Sequence, residues 1–211
     1  MIEMVFRLEQ SKLDCLLYTV WCSRLGMASK VVVVVDNSNV FIEGQKFSAK
    51  MKDIVKQNPN DRDPQDPSWR IDFGKLLLAV SNGRTVERAI LVGSRPPQND
   101  TVWQAAQNHG FSVTVHDRNS MNEEKAVDTE LVAQTTEIIC TTTEVMDLAI
   151  LSGDRDFIPL VSVAHRRHWM VEMWAFKNAY NPAGQMAMEV DSIKPLDDIF
   201  NEISTYAYSY P

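Results

Sequence analysis

The chain has 211 residues, of which 45% are hydrophobic, with a formal net charge of -7. This length suits one domain with appendages, and the apolar share is enough for a sizeable core, so disorder is not the default reading. The acidic total argues against a uniformly basic nucleic-acid binder, although a metal site concentrates carboxylates that bound cations offset.

Residues 1–29 stand apart. The stretch 13–25 is apolar and carries Cys15 and Cys22; with Cys140 these make an odd set without a CxxC pair, which gives neither a disulfide framework nor a zinc site. A secretory leader opens with positive charge, whereas this chain opens Met-Ile-Glu, and Glu3, Glu9 and Asp14 argue against a mitochondrial presequence. The expectation is an N-terminal extension, docked or loosely held, with Met27 an alternative start. No stretch reaches about 18 apolar residues, so no membrane association is expected, and the cysteine usage points to the cytoplasm.

The five valines at 31–35 form a continuous β-branched run, the pattern of a strand buried on both faces in a parallel sheet. The run ends at Asp36-Asn37-Ser38-Asn39, a turn and N-cap set, and a helix is predicted over 40–51. Residues 57–69 are polar and rich in Pro and Asp, hence a loop. Helical periodicity follows over 71–80, a strand over 85–92, and a helix capped by Asp100 and stopped at Gly110. A strand over 111–116 and a polar loop over 117–124 precede a long helix predicted for 125–143. Leu148-Ala149-Ile150-Leu151 is a fourth buried strand, and Ser152-Gly153-Asp154 turns into a helix reaching about residue 165. Residues 169–176 give a fifth strand; a short helix over 183–189, a weak strand and a helix over 197–204 complete the series. Alternating strands and helices predict an α/β fold, a doubly wound and mostly parallel sheet with helices on both faces. The domain is expected over 30–204, with a tail over 205–211.

Ligands of such sheets bind beyond the carboxyl ends of the strands. Asp36 follows the first strand, Asp154 and Asp156 follow the fourth, and Asp128 opens the long helix, so three segments deliver carboxylates that could meet at one end. Asp147 lies at the other end of its strand and is set aside. Crowded carboxylates repel, and an all-oxygen cluster is what Mg²⁺ or Mn²⁺ prefers. Such ions activate water for phosphodiester hydrolysis. Read singly, Asp36 and Asp154 are equally well explained as helix caps and Asp128 as a first-turn acid.

The segments Val-Asp-Asn-Ser-Asn-Val at 35–40, Lys-Ala-Val-Asp at 125–128 and Ser-Gly-Asp-Arg-Asp-Phe at 152–157 resemble the NYN branch of the PIN-like nuclease superfamily, over about residues 30–176. The resemblance implies a Rossmann-like sheet, a Mg²⁺-dependent acidic site and cleavage of RNA. By its motifs, Asp36, Asp128 and Asp154 would be metal ligands, and Asp156 would complete the site directly or through water. Asn39 would hold the first-strand carboxylate or contact substrate.

Lys125, one turn from Asp128, and Arg155, between two site aspartates, are candidates for phosphate contact. Arg95, Arg118, Arg166 and Arg167 could form a basic rim, while Trp69 and Trp103 suit core packing better than base stacking. The expected function is a metal-dependent ribonuclease, endonucleolytic in its cut, with RNA as partner and protein partners or a homo-oligomer possible. The alternative is a non-catalytic RNA-binding or adaptor module. A small-molecule phosphohydrolase is disfavoured because Ser38 stands where its second aspartate would be.

Overall fold

The valines at 31–35 are all fully buried in the first strand, β1 (Lys30–Asp36), of a computed structural model that describes residues 30–56, 62–94, 101–116 and 127–207. The expected extension over 1–29 lies outside these residues. Strands β3 (Thr85–Ser94) and β5 (Asp147–Leu151) flank β1, both parallel to it. Beyond β3 comes β4 (Ser112–His116), and beyond β5 come β6 (Met170–Ala175) and β7 (Ser192–Pro195), all parallel. The sheet order is β4-β3-β1-β5-β6-β7. Counted within the sheet alone, this is the doubly wound 3-2-1-4-5-6 order, as the alternation of elements predicts.

Burial on both faces follows from the period of two along a strand. Val31, Val33 and Val35 face one core together with residues of α1 (Asn37–Met51), α2 (Phe73–Ser81), α3 (Thr101–Asn108) and α7 (Phe200–Ile203). Val32 and Val34 face the other, with residues of α4 (Val127–Thr141), α5 (Ile158–Arg166) and α6 (Gln185–Glu189). At the amino edge of the sheet Arg84 bridges Asp147 at 2.9 Å and Glu172 at 2.8 Å, and the Trp174 indole donates to Glu172 at 3.1 Å. Asp147 therefore fastens neighbouring strands at the end opposite the candidate site.

Two short strands depart from the sequence expectation. Helical periodicity places Ile71 in a helix, but it ends β2 (Trp69–Ile71), and α2 begins only after Asp72, whose carboxylate accepts from Lys75 N at 3.0 Å. The helix expected over 197–204 is a 3-10 turn (Leu196–Ile199), then α7, then β8 (Ser204–Tyr206), which pairs antiparallel with β2. Thr205 and Tyr206, placed in the expected tail, belong to this strand. Between α1 and this ribbon the Trp69 ring stacks on Phe200 at 5.8 Å with an interplanar angle of 9°, and its Nε1 donates to Ser204 Oγ at 2.8 Å.

A candidate carboxylate site at the switch point

The chain leaves β1 and β5 toward opposite faces of the sheet, so a crevice opens between their carboxyl ends, the place where doubly wound sheets bind ligands. Asp36 ends β1 there. Its backbone is extended, and its side chain caps α1 by accepting from Asn39 N at 3.2 Å. Ser38 Oγ donates to the same oxygen at 2.8 Å, and Ser152 Oγ, from the end of β5, donates to the other at 3.1 Å. Asp36 as a residue is only 5% exposed. Burial of an acid is costly unless its oxygens are satisfied, and here neighbouring donors and the helix N-terminus supply that.

Across the crevice Asp154 follows β5 in an extended conformation and caps the 3-10 turn Arg155–Phe157, accepting from Asp156 N at 3.0 Å. Its own N–H donates to Ser152 Oγ at 3.2 Å. Ser152 thus links the two motif aspartates: it accepts from the backbone of one and donates to the carboxylate of the other. Gly153 between them admits no side chain, since a Cβ there would lie 2.6 Å from the Ala179 carbonyl oxygen.

Asp36, Asp128 and Asp154 line one cleft of about 320 Å³, together with Ser38, Asn39, Ile42, Glu43 and Val127. The three segments expected to converge do so. Asp156 and Arg155 are exposed in the adjoining turn and do not line the cleft. Lys125, Arg95, Arg118 and Asp100 lie outside the described residues. The basic rim loses two members: Arg166 and Arg167 stand at the far end of α5, which returns from the carboxyl edge to the amino edge, and Arg167 donates to Thr142 O at 2.8 Å below α4. Trp69 and Trp103 are core residues with no face open to a base.

Ser152, Ile42 and Glu43 were not singled out from sequence. Glu43 had a signal available, since it lies one helical turn after Asn39 and so on the same face. It pairs with Lys46 at 2.6 Å.

The donors around the cleft are carboxylate, hydroxyl and amide oxygens, which suit a hard divalent cation. Among the described residues no three acids, histidines or cysteines converge closely enough to cage an ion by themselves. The residues therefore fit an ion held by one or two carboxylates that keeps several waters, the usual habit of Mg²⁺.

A twisted parallel sheet of this order with an acidic crevice at its switch point defines an α/β protein of Rossmann-like, PIN-like architecture. The NYN domain family matches residues 30–193, and the chain belongs to that family. Among solved structures it is similar to a protein of unknown function from Vibrio parahaemolyticus, with a TM-score of 0.60 and 15% identity over 84% of this chain and 97% of the other. That likeness is one of fold. No curated protein matches the chain significantly.

Proposed function

We propose that the protein is a metal-dependent ribonuclease that hydrolyses RNA phosphodiester bonds endonucleolytically. The observation that carries this reading is the meeting of Asp36, Asp128 and Asp154, from three chain segments, in one cleft at the switch point of an NYN-family fold. Asp36 is fixed by three donors and would present a defined carboxylate edge to Mg²⁺ or Mn²⁺. Asp154 and Asp128 would complete the site, one of them as a second direct ligand and the other, like Asp156, through the ion's retained waters. A divalent cation bound in such a cleft supplies an activated water and a counter-charge for the leaving 3′ oxygen. Asn39, Lys125 and Arg155 would position the substrate phosphates.

A second reading, an RNA-binding module without turnover, is favoured by one observation: among the described residues no three acids stand at caging distance. The test is cleavage of labelled single-stranded RNA, structured RNA and DNA by the purified chain with Mn²⁺ or Mg²⁺. Asp154→Asn keeps the shape and removes a charge; the expected outcome is metal-dependent RNA cleavage that this variant lowers at least about a hundredfold, the scale of losing a principal electrostatic contributor. RNA binding without cleavage in any metal would establish the second reading.

A further inference from the structure

The crevice does not end at the carboxylates. Glu43 lines both the acidic cleft and a second cavity of about 510 Å³ at the C-terminal half of α1. The residues facing the two cavities form one stripe on that helix: Asn39, Glu43, Lys46 and Lys50, spaced by four, three and four residues, which is a single helical face. At 1.5 Å per residue, the stripe carries this face about 16 Å from Asn39 to Lys50. Lys56 closes the second cavity, and the exposed Ile54 and Val55 form its apolar wall.

The charges of the two cavities are opposed. The first gathers carboxylates. The second sets three lysines against two acids, Glu43 and Asp63, and both acids are already engaged, by Lys46 at 2.6 Å and by Lys56 at 2.9 Å. Lys50 is exposed and makes no ion pair among the described residues. A chain with net charge -7 thus places, about 16 Å along α1 from Asn39, a cation that no acid pairs among the described residues.

From this geometry we infer that the lysine cavity is a binding subsite for single-stranded RNA flanking the cleaved phosphate. Lys50 contacts a backbone phosphate there, Lys56 contacts a second by exchanging its Asp63 partner for it, and Ile54 and Val55 lie against a base or ribose. Apolar contact beside cationic groups is what a base and its phosphate require together. The volume is that of a drug-sized ligand, enough for one or two nucleotides and too small for a duplex. The inference rests on the reading of the acidic cleft as the site of the scissile phosphate. It lays the path of the bound strand along the axis of α1, with the reacting phosphate at the N-terminus of the helix and the flanking nucleotides toward its C-terminus.

The test reads binding apart from cleavage. Fluorescein-labelled phosphorothioate oligouridylates, a dodecanucleotide and a trinucleotide, are titrated by anisotropy in Mg²⁺, which offsets the carboxylates of the cleft, while the modified backbone resists cleavage. The variants are Lys50→Gln/Lys56→Gln and a control, Lys30→Gln, at the amino edge of the sheet where Lys30 pairs with Glu87 and Glu144. The double variant is expected to weaken the dodecanucleotide about tenfold and to lower its log–log salt slope by about 0.7 for each lysine lost. Trinucleotide binding should change less than twofold, since it can occupy the cleft alone, and Lys30→Gln should change neither. Cleavage, if present, should show a raised KM for the long substrate at unchanged kcat. Wild-type affinity of the double variant for the dodecanucleotide overturns the subsite, as does an equal loss for both lengths or an equal loss in the control. Absence of cleavage with the length-dependent binding intact would sink the nuclease reading and leave the subsite standing.

Discussion

Asp36 performs two tasks with one carboxylate: it ends the central strand as the cap of α1 and faces the cleft. The structural explanation and the functional one are therefore not rivals at this residue. Ser152 is the group that holds it from the other side of the crevice, and under the proposed function it would be a positioning residue. Ser152→Ala removes a hydrogen bond from a buried carboxylate and the acceptor of the Asp154 N–H, which together should cost about 1–3 kcal/mol of stability. A purely structural role would stop there. Under the proposed function the variant should also raise the Mn²⁺ concentration needed for half-maximal cleavage, because one of the two Asp36 oxygens loses the Ser152 donor. An unchanged metal requirement at reduced stability would show that Ser152 only supports the fold. The importance of Ser152 was visible in the sequence only as part of a motif; the hydrogen bond depends on the register that sets Val35 opposite Leu151.

At the scale of elements, α1 is shaped by what packs on it. A Cβ on Gly44 would run into the Trp69 ring, a rigid indole that is fully buried and stacked on Phe200. Alanine in a helix interior is ordinarily worth about 1 kcal/mol over glycine. Overpacking against an immobile ring costs about 1–3 kcal/mol, so Gly44→Ala should be net destabilising, by up to about 2 kcal/mol, in urea unfolding. A gain in stability would mean that the indole can shift. The segment leading into β2 is tied to α1 by Asp66. Burial works to raise the pKa of this acid, but hydrogen bonds from Lys52, from Ser48 and from the side chain and backbone of Ser68 outweigh it and hold the carboxyl well below the usual range. An acid with a depressed native pKa stabilises the fold above its unfolded value, about 3.9, and that contribution is lost as the pH falls toward the native value. Asp66→Asn should therefore cost about 3 kcal/mol at neutral pH, with the difference from wild type constant above about pH 5 and shrinking below about pH 4. A difference that persists undiminished at low pH would contradict this. None of this was legible in the sequence. A three-residue strand has no periodicity to read, and the pairing of β2 with β8 is a contact between distant segments. The long elements were legible because β-branched runs and apolar stripes specify them locally. The position of Arg166 and Arg167 was not, because only the direction in which α5 crosses the sheet places them away from the cleft.

For the molecule as a whole, the candidate site draws on β1, α4 and the exit of β5, so its carboxylates approach one another only in the folded state. A cation that binds that state alone stabilises it by RT ln(1 + [L]/Kd), about 2.7 kcal/mol at a hundredfold excess over Kd. For a domain of this size that corresponds to a rise in Tm of about 5–10 °C. Mn²⁺ or Mg²⁺ should produce such a rise beyond KCl of matched ionic strength, and Asp154→Asn should reduce it. If the metal adds nothing beyond the salt control, the aspartates are separate caps without a shared ion. The doubly wound architecture that brings them together was foreseeable from the order of the elements, whereas their spacing, wider than a closed cage, was not.

The centre of the sheet also bears on how the chain reaches this state. β1 carries the longest unbroken β-branched run among the described strands, yet neither of its partners is near it in sequence: β3 begins at Thr85 and β5 at Asp147. During synthesis the five valines emerge long before either edge of β1 can be paired, and a β-branched segment with open edges is prone to aggregate. Lys30 and Asp36, which bracket the run, place a charge at each end of it. Such flanking charges are the usual protection of an unavoidable sticky strand, so the aspartate proposed to serve the cleft would also act as a gatekeeper for the nascent chain.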